Sequence, residues 1–472
     1  MSEAAAKDAR GAAAERWLFR GLIALVALAP LPLASNRPLP AALLALGAGL
    51  LLIGWGAHIA IGGRIAVSPA KLRLPLILFG AVAAWIAVQA LPIMPASWAD
   101  PIWTEAAAAL GEPLAASLSV NPAATLSGLM RLLSYAAVFW LSLQLTRHDG
   151  NARVALAAVA FIGAAYALYG IAVYFSGNNW ILIWRKWDYH EALSATFVNR
   201  NSFATFAGLA LLCAVAWFIN GFRHLLTLER PARQRMALVA EAMFSQSLIR
   251  TIATLALMTA LVLTGSRAGI VSSMAALGVL MLAFAGGGTL RTSHAAAAGA
   301  LVAALMAAIF AVNGGLFADR IARADANLAT NDRGIVYAAT MDAVATAPWK
   351  GTGYGTYREV FTAYRPEGLP TQFYWDKAHN DYLENALELG LPAAIALNLS
   401  ILLLAAEALR GLWRRRRDRT GPAIGVAATV LVGLHAFFDF SLQMPAVSVL
   451  YAFIMGFAMS QSWPKAGSRS PR

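Results

Sequence analysis

Apolar residues run in long blocks separated by short polar breaks. The blocks lie near 17–34, 40–61, 74–94, 126–146, 153–175, 202–222, 248–264, 267–286, 295–313, 389–409, 422–441 and 445–463. A helix needs about 20 apolar residues to cross a bilayer, whereas half-buried strands alternate and surface helices show a narrower stripe. The pattern predicts an all-α polytopic membrane protein with about twelve transmembrane helices, forming a single integral-membrane domain over 1–472. Pro30 and Pro32 interrupt the first block, and Leu33-Ala34-Ser35 is a poor signal-peptide cleavage site. With eleven blocks following, we read the first as an uncleaved anchor. Only Gly265 and Ser266 separate the seventh and eighth.

Composition agrees with the pattern. The chain has 472 residues, 59% hydrophobic and 13% charged, with a mean hydropathy of +0.61. Soluble domains are about 45–50% apolar and about 25% charged, so a soluble enzyme and a disordered chain are both excluded. The one cysteine, Cys213, lies in an apolar block and can form no intrachain disulfide.

The net charge of +13 (37 Lys+Arg against 24 Asp+Glu) sorts by side. Alternating the segments between blocks puts Lys7 to Arg20, Arg64 to Arg73, Arg147, Arg153, the run Arg223 to Arg250, Arg291, Arg410 to Arg419 and the C-terminal tail on one face. That face reads as cytoplasmic, with both termini there. The Arg414-Arg415-Arg416-Arg417 run reads as a topology determinant facing anionic lipid, not as a nucleic-acid site.

Three segments on the opposite side are long: about 95–125, 176–201 and 314–388. The last is too long for a passive connection and is rich in acidic and aromatic residues, among them Phe317, Tyr337, Trp349, Phe373, Tyr374 and Trp375. It predicts a large, mostly helical outer loop folded over the bundle, against segments six to eight, as a lid. Its aromatics would line an acceptor entrance or anchor at the interface.

Of the histidines, only His190 and His379 fall in outer segments. His379 opens the stretch His379-Asn380-Asp381-Tyr382-Leu383-Glu384, which reads as a short helix running into the tenth block, with Asp381 and Glu384 as supporting groups. An imidazole suits general-base work near neutrality, and its bland alternative is a satisfied interfacial side chain. Arg267 sits in the tight turn Thr264-Gly265-Ser266-Arg267. An arginine beside hydrocarbon marks a bound anion or snorkels to headgroups. Arg333 follows Asn331-Asp332, an N-cap pair for an amphipathic helix from Gly334 to Ala347. A helix N-terminus with a guanidinium makes an anion site, or simply a solvated first-turn charge. Asn199-Arg200-Asn201-Ser202 opens the sixth block, as caps or as headgroup ligands. His435 and Asp439, four apart on the eleventh, share a helix face and either pair with each other or orient a neighbouring group. Pro348 to Gly355 is glycine-rich. It reads as a backbone turn, since no strand precedes it and nucleotides are on the other face.

Absences narrow the chemistry. There is no His-Glu-x-x-His, no cysteine cluster and no outer Gly-x-Ser-x-Gly, so a metal site has no sequence support and neither does a serine nucleophile. One histidine and several arginines at the membrane face suit transfer from a lipid-linked diphosphate.

Taken in order, Phe197-Val198-Asn199-Arg200-Asn201, Thr264-Gly265-Ser266-Arg267, Arg333, Pro348-x-x-Gly351-x-Gly353-x-Gly355, His379-Asn380-x-x-Leu383 and the late His435/Asp439 pair resemble the bacterial O-antigen ligase and polymerase superfamily. The resemblance covers most of the chain, including the large loop between the ninth and tenth blocks. It implies a multi-pass bacterial inner-membrane glycosyltransferase. Such an enzyme moves a glycan from undecaprenyl diphosphate onto an acceptor hydroxyl, on lipid A–core in a ligase or on a second lipid-linked repeat in a polymerase of O-antigen or exopolysaccharide. It further implies a metal-independent reaction without cofactor, His379 as base, and Arg267, Arg333 and Arg200 as diphosphate ligands. A lipid-linked glycan transporter is the rival class, but no matching halves are visible in the sequence.

Overall fold

The structure, a computed structural model, describes residues 3–31, 33–226, 231–245, 247–286, 292–312, 329–367, 369, 375–415 and 418–464. Phe317, Phe373, Tyr374, Arg291, Arg416 and Arg417 lie outside the described residues, as does the C-terminal tail from 465.

Helices follow one another almost without interruption: α1 (Glu3–Leu28), α2 (Pro38–Ala60), α3 (Arg73–Ala90), α4 (Ile102–Leu110), α5 (Pro122–Leu145), α6 (Asp149–Phe175), α7 (Arg200–Leu226), α8 (Ala232–Phe244) and α9 (Leu248–Leu263). They continue with α10 (Arg267–Gly286), α11 (Thr292–Val312), α12 (Ala329–Thr346), α13 (Tyr357–Tyr364), α14 (Asp381–Leu389), α15 (Leu391–Arg414), α16 (Thr420–His435) and α17 (Pro445–Ser460). The described strands are β1 (Trp180–Ile181) and β2 (Trp184–Arg185), a small antiparallel hairpin. A helix lies over each of the twelve apolar blocks, and seven of these helices are long and apolar enough to cross a membrane. Shorter apolar helices include α9, α16 and α17.

Local chemistry sets several helix starts. Proline stands in the first turn of α2, α5, α15 and α17, where its missing N–H costs nothing. Asn121 caps α5 by accepting from the Ala124 amide at 3.1 Å. Helix α1 stops at Leu28, ahead of Pro30, and Leu33 to Ser35 form a tight turn closed by Ser35 Oγ donating to Ala29 O at 2.7 Å.

Helix α7 is the centre of the bundle. It is buried nearly all round, as a helix apolar on every face must be. It packs against α6, α9, α10 and α16, with α5 lying along α17 and α15 along α3. Small residues allow the closest approaches: a Cβ on Gly269 would stand 2.5 Å from that of Ala204, so the start of α10 is drawn onto the start of α7.

Between α11 and α15 the described chain folds into α12, α13 and α14 around a small core of its own, with Val336, Ala343, Phe361 and Leu387 buried and Tyr357 stacked on Phe361 at 5.2 Å. This part is helical, and its described polar contacts run to α3, to the segment before α5 and to the end of α16. Gln89 of α3 donates to Lys350 O and Glu388 O, Trp85 donates to Leu389 O, and the Val120 amide donates to Thr352 O. Tyr337 and Arg333 reach the end of α16. The polar side chains of α3 find their partners in this unit, as buried donors must.

Two further expectations shift. The eleventh block was expected to be helical to 441, but α16 ends at His435 and the chain turns through Ser441–Gln443. Helix α12 starts at Ala329 and ends at Thr346, so Asn331 and Asp332 lie inside its first turn rather than capping it.

Candidate functional site

The segment before α14 is stitched to the end of α16. Asn380 caps α14, its Oδ1 accepting from the Tyr382 and Leu383 amides at 3.0 and 3.1 Å. Its Nδ2 donates to Phe437 O at 3.2 Å. The Asp381 amide donates to Ala436 O at 2.9 Å, and Tyr382 Oη donates to Gly433 O at 2.8 Å. His379 therefore precedes the cap rather than lying on the helix face, and it adopts a left-handed φ of +52°. That region is uncommon for a non-glycine residue, although histidine is among the types that visit it, and it marks a constrained position.

This backbone turn delivers the imidazole to Asp439. His379 Nδ1 lies 3.2 Å from Asp439 Oδ1, with His379 19% and Asp439 1% exposed. Burial alone would raise the Asp439 carboxyl. The hydrogen bond from His379 and the charges of His379, His435 and Arg333 instead hold it below the usual carboxylate range. A carboxylate accepting from Nδ1–H leaves the Nε2 lone pair outward, the orientation a general base requires. The ring is wedged edge-on between Trp375 (5.5 Å) and Phe440 (4.8 Å).

Asp439 thus serves His379 and not His435. With α16 ended, the two no longer share a helix face. His435 is buried and its Nδ1 lies 3.2 Å from Ser441 Oγ, which in turn accepts from Thr205 of α7 at 3.0 Å. Of the two alternatives for the pair, the geometry has Asp439 orienting a neighbouring group.

Helix α12 covers this turn with residues four apart. Arg333 donates to Phe438 O at 3.0 Å, and Tyr337 Oη donates to His379 O at 2.8 Å. Arg200, at the start of α7, stands over the Tyr189 ring at 5.5 Å. Burial pushes the Tyr189 hydroxyl up to about 12, with Asp439 and Asp188 adding to the rise and Arg200 and Arg333 opposing it. Tyr189 therefore stacks with Arg200 within electrostatic reach of Asp439 and Arg333. Asn199 caps α7, accepting from the Asn201 and Ser202 amides at 2.7 and 3.2 Å. Asn201 contributes a backbone carbonyl to Thr205.

Arg267 begins α10 beyond a turn in which Gly265 has φ +63° and Ser266 Oγ accepts from the Gly269 amide at 3.2 Å. Its side chain is exposed, with no hydrogen bond or ion pair to another described residue. The structure gathers His379, Asp439, Arg333 and Arg200. It places Arg267 on the adjoining helix start, through the Gly269–Ala204 contact, rather than in contact with His379.

Behind His379, three buried carboxyls line one side of α14. Glu384 accepts from Lys377 Nζ at 3.1 Å and from the Ala378 amide at 2.8 Å, which secures the chain just ahead of His379. Burial would lower Lys377, but Glu384 and Glu388 lift it above its ordinary value. Burial and the Glu384 charge push Glu388 up to about 8 and hold Asp381 well above the carboxylate range. Glu388 accepts from the Tyr357 amide at 2.9 Å. The glycine-rich segment packs here as a backbone turn. Thr352 and Gly353 amides donate to Leu387 O and Glu388 O, and a Cβ on Gly351 would lie 2.4 Å from Glu388 O. Among the described residues no three His, Cys, Asp or Glu side chains stand together as a metal site.

Sequence reasoning missed Tyr189 and Lys377, and it counted Tyr337 only as one aromatic of many. Lys377, two residues before His379, offered a weak signal through its charge. Tyr189 offered none, because its place depends on the loop between α6 and α7.

Residues 252–398 match the family model described as O-antigen ligase. The match spans Arg267, Arg333 and His379 and supports the O-antigen ligase and polymerase superfamily. Among curated proteins, nothing matches the chain.

Proposed function

We propose that this protein, a helical membrane protein with an O-antigen ligase segment, is a ligase-type glycosyltransferase of the bacterial inner membrane. It would move a glycan from undecaprenyl diphosphate onto a sugar hydroxyl of lipid A–core at the periplasmic face, with both termini in the cytoplasm. The observation that carries this reading is the His379–Asp439 pair, 3.2 Å apart, beneath a helix that brings in Arg333 and beside the Tyr189–Arg200 stack.

In this reaction the acceptor hydroxyl oxygen attacks the anomeric carbon of the donor and gives its proton to His379 Nε2. The bond from that carbon to the diphosphate oxygen breaks, and undecaprenyl diphosphate leaves with the electron pair. Asp439 stabilises the imidazolium that forms. Guanidinium groups meet the charge growing on the leaving oxygen, which fixed cations do without reorganisation. Arg267, exposed on the adjoining helix start, is suited to the distal phosphate. A polymerase would use the same donor and base, so the acceptor alone separates the two readings.

The test is reconstitution with a synthetic undecaprenyl-diphosphate saccharide, offered lipid A–core and a second lipid-linked repeat in parallel, with and without chelator. Glycosylated lipid A–core in both conditions is expected. Products made only from the lipid-linked repeat would reassign the protein as a polymerase. No transfer to either acceptor by folded protein, or transfer abolished by chelator, would overturn the mechanism.

A further inference from the structure

A second cavity of about 540 Å³ opens on the same end of the molecule, between the last turn of α6, the β1–β2 hairpin and residues 190–195. Its volume falls within the ~300–1,000 Å³ usual for small-molecule sites. Its lining differs from the apolar spaces between the helices: Tyr174 and Trp180 are joined by Asn178, Asn179, Lys186 and Glu191.

The cavity is built rather than incidental. Lys186 is only 7% exposed, with its Nζ donating to Ala192 O at 2.7 Å and its amide to Asn179 O at 2.7 Å. A buried ammonium is costly to place, and here it ties the two walls together while bordering the open space. Asn178 Oδ1 accepts from the Trp180 amide at 2.9 Å, which leaves its NH₂ group for a ligand. Trp180 is 49% exposed, a large aromatic surface left uncovered beside these polar groups. The hairpin is held by the Leu182 amide donating to Tyr169 Oη at 2.8 Å, and residue 193 is tied to Leu263 O, just ahead of the Arg267 turn.

The cavity also adjoins the reacting groups. Tyr189 stacks under Arg200 within electrostatic reach of Arg333 and Asp439, while the next two residues, His190 and Glu191, line the cavity. An aromatic face with amide, ammonium and carboxylate groups around it is the surface a pyranose ring requires: C–H groups on the ring plane, hydroxyls at the edge.

We propose that this cavity is a saccharide subsite, holding a sugar of the donor glycan beyond the one whose anomeric bond is broken. It rests on the glycosyltransferase reading for its role in transfer, but not for the binding itself. The subsite grips the growing or finished chain and makes longer glycans better donors than single-repeat ones.

The test has two arms on the full-length protein in nanodiscs. In the first, saturation-transfer NMR is run with a free tetrasaccharide of the producing strain's surface polysaccharide, without lipid or diphosphate. Signal on the sugar protons is expected, and Trp180→Ala or Asn178→Ala should weaken binding about tenfold, which is one decade of affinity. In the second, KM is measured for single-repeat and multi-repeat donors. The variants should raise KM for the long donor about tenfold while kcat and the single-repeat KM stay unchanged, which also shows them folded. Saccharide binding lost in the variants with no transfer by the wild type would sink the glycosyltransferase reading and leave the subsite standing. Transfer by the wild type with equal KM for both donors, and no change in sugar signal in either variant, would overturn the subsite.

Discussion

His379 and Asp439 divide the work between proton transfer and orientation. A base within hydrogen-bond reach is worth about 10²–10⁴-fold in rate. His379→Ala should lower turnover by about that factor, with donor affinity close to wild type in a binding assay. Asp439→Asn should approach the same loss, because the amide cannot hold the Nδ1–H tautomer or stabilise the imidazolium. Donor binding abolished by His379→Ala, with turnover of bound donor intact, would reverse the assignment. The arginines should behave differently, since the diphosphate is charged in ground and transition states alike. Arg333→Ala and Arg267→Ala should weaken donor binding and turnover together. Lysine should rescue only in part, lacking the planar fork, and a paired KM and kcat measurement reads both effects. Arg333 already spends one N–H on Phe438 O, so its substitution should also loosen the turn that carries Asp439.

At the scale of elements, α14 and the glycine turn packed on it form a unit that holds His379 from behind. Burial and the Glu384 charge push Glu388 up to about 8 in the folded protein, against about 4.3 for a free glutamate. Between those values the folded state binds more protons at this site, so the Glu388 contribution to stability is full below about 4.3 and is lost as pH rises through about 8. Glu388→Gln keeps an oxygen for the Tyr357 amide and removes the proton. Its unfolding midpoint in detergent should vary less between pH 5 and 8.5 than that of the wild type, and an equally steep dependence would place the titration elsewhere. In the turn itself, Gly351 combines φ +67° with backbone atoms less than 3 Å from a prospective Cβ. Gly351→Ala should destabilise by about 1–3 kcal/mol, as strained backbone positions do. Gly334→Ala, in α12 with nothing near its Cβ, should be neutral or stabilise by up to about 1 kcal/mol. Thermal melts of the two variants side by side check this.

Across the whole molecule, the outer helical unit and the bundle meet through hydrogen bonds at two places, the end of α16 and the end of α3, and Gln89 is central to the second. It is fully buried, with two donated hydrogen bonds to the unit. Gln89→Leu leaves Lys350 O without that donor, at about 1–3 kcal/mol when buried, while Glu388 O keeps the Gly353 amide. Limited proteolysis should then cut between 347 and 390 much faster, and turnover should fall with the bundle still folded. Unchanged cleavage would mean that the unit is held chiefly by its contacts with the end of α16.

The sequence by itself determined the helical membrane architecture, because burying about 20 apolar residues in one run leaves the backbone no other way to satisfy its hydrogen bonds in lipid. It also pointed to His379, Arg200 and Arg333, since histidines at that face number only two and arginines at element starts beside hydrocarbon stand out. The end of α16 was not legible. The apolar run continues through Phe437 and Phe438, and the helix stops where Asn380, Asp381, Tyr337 and Arg333 take up the carbonyls of 436 to 438. For the same reason His435 and Asp439 looked like one helical pair. Their separation, the pairing of Asp439 with His379 across 60 residues, and the place of Tyr189 beside them are contacts between distant segments. No local periodicity encodes such contacts; they exist only once α12, α14, α16 and the α6–α7 loop have packed against one another.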